Sequence, residues 1–454
     1  MMSEPSAAPF AAPSAPVFTP PCGPIEGWMD GAVKRATGIP YARAGRFRQP
    51  QPVPDWQETL TATRPAPACP QPDTPFLNQM LSSTFDNLSF DEDCQNLSIT
   101  MPADCTADEG LPVMVWVHGG SYVSGAGDLT QFDPVALVSE QRVIVVAVTY
   151  RLGLLGFLGD GPDRPANLGL LDQLAAFAWV QRNIAAFGGD PRSVTAFGQS
   201  AGADALVQLM ATPGADRLFR RVIVQSAPLG IGRGRARMNA AMMEAARDIT
   251  ESTPLAQVTE TQALVAQAGG SFGLKSFMPF GPQHEQAPLP GEEAADAARQ
   301  AVAPKIDLMV GYTAEEARFF VPVIPKLERM SRLPLIGPPL RRGVVALLTH
   351  IIYARGARRF VQSHRRAGGR GYLYRLDWSA PDSGHGACHV IDLPLLLGTR
   401  EAWANAAILG NTPWEEIEEK GQKLRQLWAR FARGETLEEQ GTVEGVLRYT
   451  TPQA

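Results

Sequence analysis

The chain has 454 residues, 44% of them hydrophobic and 19% charged, with a formal net charge of −5. This is the composition of a folded protein with a large core rather than a disordered one. Its slight acidity gives no overall attraction to nucleic acid or to an anionic membrane.

Residues 3 to 21 hold six Pro, five Ala and three Ser, and the first basic residue is Lys34. That stretch reads as a disordered arm over residues 1–21, with neither the charged start nor the apolar centre of a secretory signal. No apolar run reaches the about 18 residues that cross a bilayer. A cytoplasmic protein without stable membrane insertion is therefore expected, with residues 22–454 as a single domain.

The five cysteines, Cys22, Cys69, Cys94, Cys105 and Cys388, include no CxxC pair and no zinc-type His spacing. No metal is expected. Cys69 and Cys94 could bridge in an oxidising compartment, but reduced thiols are the expectation without a secretory signal.

Six short β-branched runs follow: 112–119 (PVMVWVHG), 142–150, 193–198, 221–226, 305–311 and 371–377. Each suits a buried parallel strand. Between the second and third, Asn167 is placed to cap a helix carrying Leu171, Leu174, Ala178 and Ile184 on its apolar side. The alternation predicts a mostly parallel sheet with helices on both faces. From 328 to 370 there are ten Arg and one acid, Glu328, interleaved with VVALLTHIIYA. This reads as amphipathic helix with a solvated arginine face, not as a polyanion site. At the C-terminal end, Thr412, Pro413, Glu415 and Gly434 mark the start and stop of one more helix.

The chemistry concentrates in VTAFGQSAGADAL, residues 194 to 206. A strand, then G-Q-S-A-G, then a helix is the context in which a strained turn lifts a serine above the sheet edge as a nucleophile. An ordinary helix N-cap is the bland alternative, and the strand-turn-helix setting favours the nucleophile, Ser200. Its hydroxyl needs a base, and attack on a carbonyl needs donors for the oxyanion. The run VWVHGGSYVSG (115–125) offers free backbone amides after a strand, and the N–H of Ala201 follows the serine. Among six histidines, His118 precedes the serine, His350 lies in an apolar run and His364 lies among arginines. The Gly-rich loop DSGHGACHVIDLPLL leaves His385 and His389 as candidate bases.

From about Gly23 onward, the chain resembles the type-B carboxylesterases, which include the cholinesterases, and in particular the bacterial para-nitrobenzyl-esterase type. The resemblance rests on TGIPYARAGRFRQPQPVPDW, CPQ with DEDCQNLSI, VMVWVHGGSYVSGAGD, VTYRLGLLGFL, NLGLLDQLAAFAWVQRNIAAFGGDPRSVTAFGQSAG, VGYTAEEARFF and GACHVIDLPLLLG, in that order. It implies an α/β-hydrolase fold with cap insertions near the active site and hydrolysis of carboxylic esters by water, without cofactor. By that resemblance Ser200 is the nucleophile, His389 the base and Glu316, not Glu315, the acid. Gly120 and Ser121 carry oxyanion donors, Gly119 allows the turn, and Ala201 completes the hole. The same pattern pairs Cys69 with Cys94 in secreted members.

Three features depart from the pattern: Gln199 replaces the usual Glu, Ala317 the usual Gly, and the stretch 229–304 is short and poor in aromatics. Small to medium neutral esters are expected, with Gln199, Phe272, Phe277, Phe280, Phe319 and Leu395 as candidate substrate contacts. A hydrolase or transferase acting on thioesters, lactones or activated amides would carry the same triad, and a non-catalytic binding module would share the fold.

Overall fold

The computed structural model describes residues 15–82, 85–324, 327–329 and 337–453. Its frame is an eleven-stranded sheet. In chain order the strands are β1 (Trp28–Asp30), β2 (Val33–Pro40), β3 (Asn96–Pro102), β4 (Leu111–Val117), β5 (Ile144–Val148), β6 (Gly189–Gln199), β7 (Arg221–Gln225), β8 (Asp307–Thr313), β9 (Gly371–Leu376), β10 (Gln440–Val443) and β11 (Leu447–Thr450). Across the sheet they run β10-β11-β9-β8-β7-β6-β4-β5-β3-β2-β1.

The six expected strands are β4 to β9, and the pairings among them are all parallel. Every residue of β5, IVVAV, is buried, as a strand covered on both faces requires. The flanks differ from a purely parallel reading: β1, β2 and β3 on one side and β10 and β11 on the other are antiparallel. Helices α1 (Leu168–Asn183), α2 (Ala201–Leu209), α3 (Gly337–Thr349), α4 (Arg355–Arg366) and α5 (Trp414–Ala432) pack around this frame.

Several local expectations change. Residues 1–14 of the expected arm lie outside the described residues. Val17–Phe18 pair with Ile25–Glu26 and Phe18 is buried, so the folded body begins before residue 22. Asn167 holds the cap position of α1, as expected, but its side chain makes no capping hydrogen bond. Its side chain instead donates to the Gln283 carbonyl at 2.8 Å and accepts from the Gln283 amide at 2.7 Å, tying the helix start to a distant loop. Pro413, not Thr412, holds the cap position of α5, while Gly434 ends it at φ 78° as expected. All five cysteines are free and buried; Cys94 lies beside Cys69, and burial pushes its thiol well above the usual range.

Residues 330–336 of the arginine-rich run lie outside the described residues; from Gly337 it forms α3 and α4 joined by one π-helical turn, His350–Ala354. Val345, Ile352, Tyr353, Ala357 and Val361 face the core, while Arg342, Arg355, Arg358, Arg359 and Arg366 are exposed, which is the amphipathic arrangement expected. No helix among the described residues is long and apolar enough to cross a membrane.

The tightest approach in the frame is between β4 and the turn after β6. A Cβ on Gly202 would stand 2.1 Å from the Val117 carbonyl oxygen and 2.5 Å from that of His118. Backbone cannot yield as a side chain can. Gly202→Ala is therefore expected to destabilise the fold by about 1–3 kcal/mol, read as a lower urea midpoint at unchanged m.

Candidate active site

Because β4 to β9 are parallel, the loops leaving their C-terminal ends gather at one edge of the sheet. The loop after β4 carries residues 118–125, the turn after β6 carries Ser200, the segment after β8 carries Glu316, and the loop after β9 carries His389. Ser200 adopts φ 56°, ψ −122°, a sparsely populated region for a residue with a side chain. Gly198 and Gly202 make the turn possible, because a Cβ on either would strike the backbone of β4 or the α2 start. The Ser200 amide donates to the Gln225 carbonyl at 2.8 Å, fixing the turn to β7.

Three separated residues meet here. His389 Nε2 stands 2.9 Å from Ser200 Oγ, and His389 Nδ1 stands 2.5 Å from Glu316 Oε2. Glu316 Oε1 also accepts from the Thr313 amide at 2.8 Å, which locks the carboxylate. Both His389 and Glu316 are buried. Glu315 turns the other way, pairing with Arg318 at 2.9 Å and accepting from the Ala387 amide. His385 lies apart from this line, and burial with the nearby Arg318 charge lowers its pKa.

The imidazole of His389 is surrounded by rings. Tyr353, Phe320 and Phe319 stand 5.2, 5.5 and 6.0 Å from it, centroid to centroid. Gln199 is buried, with its amide nitrogen 3.2 Å from His389 Nε2, so its N–H points at the atom that faces the serine. Asp392 is also fully buried nearby. It accepts from Gln225 at 2.6 Å, and burial pushes its pKa up to about 6, with the Glu316 charge adding to the rise and His389 opposing it.

The loop after β4 closes over the serine. A Cβ on Gly119 would lie 3.1 Å from Ser200 Cβ, and one on Gly120, at φ 108°, would lie 2.0 Å from the Ser124 carbonyl oxygen. Ser121 and Tyr122 follow at φ 56° and 61°. His118 is buried, donates through Nδ1 to the Gly119 carbonyl at 2.8 Å, and has its pKa lowered to about 4 by burial. It is a neutral part of the loop and not a base.

A narrow apolar slot opens beside Ser200 and Ser121. Phe277, Phe320, Ile231, Ile352 and Tyr353 are among its walls. Of the expected substrate contacts, Phe277 lines the slot, Phe319 packs against His389, and Gln199 faces the same ring. Phe280 and Leu395 are core residues, and Phe272 packs on the core, so none of the three lines this slot. Phe320, Tyr353, Ile231 and Asp392 were not singled out by sequence reasoning; only the FF pair after Glu316 gave a local signal. Among the described residues no group of three or more His, Cys, Asp or Glu is arranged to hold a metal ion.

The arrangement can move a proton from Ser200 to His389 and hold the resulting imidazolium against Glu316, beside a wall suited to an uncharged chain.

The chain is similar to several known proteins. The carboxylesterase family model matches residues 14–333. The chain is 36% identical over 426 residues to a probable N-octanoylanthranilate hydrolase of Rhodococcus erythropolis, covering 91% of this chain and 92% of that protein. It is 31% identical over 457 residues to the para-nitrobenzyl esterase of Bacillus subtilis, covering 92% and 89%. Among solved structures, a thermophilic PNB esterase superposes with TM-score 0.77 at 29% identity, covering 94% of this chain and 93% of that one.

Two expectations follow from the geometry. Glu316→Gln should lower kcat for 4-nitrophenyl esters by orders of magnitude, while Glu315→Gln leaves it within a few-fold, as steady-state kinetics would read. The second concerns pH. An anion near His389 stabilises the imidazolium and raises its pKa, so the base is lost at higher pH. Gln199→Glu should move the acidic limb of kcat/KM to higher pH, and Asp392→Asn, which removes a carboxylate ionised above about pH 6, should move it lower.

Proposed function

As the chain belongs to the carboxylesterase family and has the α/β-hydrolase fold, we propose that it hydrolyses small to medium neutral carboxylic esters through Ser200, His389 and Glu316. The observation that carries this reading is the unbroken line from Ser200 Oγ through His389 to Glu316, at 2.9 and 2.5 Å.

In this mechanism Ser200 attacks the ester carbonyl as His389 Nε2 takes its proton. Glu316 holds the ring in the tautomer that accepts there and stabilises the imidazolium. The tetrahedral oxyanion takes hydrogen bonds from the backbone amides of Gly120, Ser121 and Ala201, with Gly119 leaving room for the approach. One good donor of this kind contributes on the order of 3 kcal/mol to the transition state. His389 then protonates the leaving alcohol, and water repeats the attack on the acyl-enzyme. The slot wall of Phe277, Phe320, Ile231 and Ile352 suits an apolar acyl chain, and the neutral Gln199 in place of a carboxylate withholds attraction from cationic alcohols.

A second reading, hydrolysis of N-acyl arylamines, is favoured by the similarity to the probable N-octanoylanthranilate hydrolase. The same acyl-enzyme would form, with an amine leaving in place of an alcohol.

Ser200→Ala should abolish turnover with the fold intact. An organophosphonate should add one mass adduct to the native protein and none to this variant; labelling at another serine overturns the assignment. Rates with 4-nitrophenyl octanoate and N-octanoyl-4-nitroaniline, compared at equal acyl length, decide between the two readings.

A further inference from the structure

The loop after β4 is strained at two successive residues with side chains, Ser121 at φ 56° and Tyr122 at φ 61°. Each such position is disfavoured for a residue with a side chain and persists only where its surroundings hold it. Tyr122 is held at both ends. Its carbonyl accepts from the Gly153 amide at 2.6 Å, and its phenol donates to Asp204 Oδ2 at 2.7 Å. Asp204 belongs to the first turn of α2, the helix that Ser200 opens. The bond therefore runs directly from the strained loop to the nucleophile's own helix.

The pair is buried: Tyr122 is 0% exposed and Asp204 1%. Arg235, 4% exposed, supplies the countercharge, with Nη2 donating to the Pro279 carbonyl at 2.6 Å and Nε and Nη1 without hydrogen-bond partners among the described residues. Asp204 Oδ1 likewise has none. A buried carboxylate and guanidinium so incompletely satisfied are a poor source of stability, and apolar residues of like volume would serve a core better. What the group does provide is a directional contact that fixes the loop's register.

We propose that the Tyr122–Asp204 hydrogen bond is a positioning device, which holds the backbone at Ser121 against Ser200 so that its amide meets the oxyanion. The proposal rests on the acyl-transfer reading above. Neither residue touches substrate in it; both act through the backbone of Ser121. Since the oxyanion exists only after attack, loosening the loop weakens the transition state and leaves ground-state binding alone.

The test compares Tyr122→Phe, Asp204→Leu, Asp204→Asn and the Tyr122→Phe/Asp204→Leu double variant on one 4-nitrophenyl ester. Tyr122→Phe should lower kcat at least about 10-fold with KM within about 3-fold. Affinity for an alkyl trifluoromethyl ketone, whose adduct with Ser200 bears the oxyanion, should fall by the same factor as kcat/KM. Asp204→Leu should lower kcat at least as far as Tyr122→Phe, since it also strips the Arg235 countercharge, and the double variant should be no worse than Asp204→Leu, because the two substitutions remove one shared bond. Asp204→Asn keeps an acceptor oxygen and should restore most of kcat. Thermal melts of each variant separate lost folding from lost rate.

A wild-type kcat in Tyr122→Phe, even with a lower Tm, overturns the proposal by making the pair purely structural. A rise in KM at constant kcat also overturns it, by making Tyr122 a substrate contact. Activity surviving in Ser200→Ala would instead sink the acyl-transfer reading itself, so the two failures are distinguishable.

Discussion

The turn at Ser200 is the constraint on which the rest of the site depends. Its backbone, at φ 56°, ψ −122°, lies where a residue with a side chain pays of order 1–3 kcal/mol. That conformation swings Oγ away from the helix interior and over the sheet edge. It survives because Gly198 and Gly202 let β4, β6 and α2 approach more closely than any Cβ would permit. Five parallel pairings through β4 to β9 fix where those backbones stand. The strain is thus borne by the central parallel strands, and the serine is positioned by the sheet rather than by its own loop.

Charge around the serine follows from burial. Glu316, Asp392 and Asp204 are buried carboxylates with different partners: an imidazole and a backbone amide, a neutral glutamine, and a phenol. An unpaired anion in such a place would be costly. Of the three, Glu316 is the one hydrogen-bonded to an imidazole, a partner that can become a cation on demand. Asp392 feels the same imidazole through its charge, and burial pushes its pKa up to about 6, while its hydrogen bond is to Gln225. His118, buried and with its pKa lowered to about 4, adds no competing charge to the loop. The base is left to respond to the groups that face it.

What the sequence makes legible here is whatever local backbone chemistry dictates. The glycines flanking Ser200, the HGGSY run and the six β-branched strands each carry their structure in a few adjacent residues. The choice of Glu316 over Glu315 came from family resemblance, and the geometry gives its reason: Glu316 turns to His389, while Glu315 is taken by Arg318 and the Ala387 amide. Long-range packing was not legible. Phe272, Phe280 and Leu395 are as apolar as true slot residues, and nothing local says which apolar residues the fold will face inward. Asn167 was a reasonable cap by type, but residue 283 competes for its side chain across the tertiary structure. The antiparallel flanks escaped for a related reason: β2, VKRATGIP, is half-buried and interrupted by Gly and Pro, so no clean period marks it.

The slot shows how a weak sequence signal can build part of the wall beside Ser200. Its wall at Ile352 and Tyr353 comes from the π-helical turn between α3 and α4, inside the stretch whose loudest feature is arginine. The extra residue of a π turn releases a backbone carbonyl from the helix ladder. The Ile352 carbonyl accepts from the Gly230 amide at 2.8 Å, and a Cβ on Gly230 would stand 2.0 Å from the Ile351 carbonyl oxygen. The turn is thereby clamped to the loop that bears Pro228 and Ile231, two further walls of the slot. Solvating the arginines outward and clamping the turn inward are two consequences of one amphipathic helix pair. The charge run keeps α3 and α4 on the surface, and the apolar face of the π turn, with Leu348 of α3, is what a molecule beside Ser200 would meet.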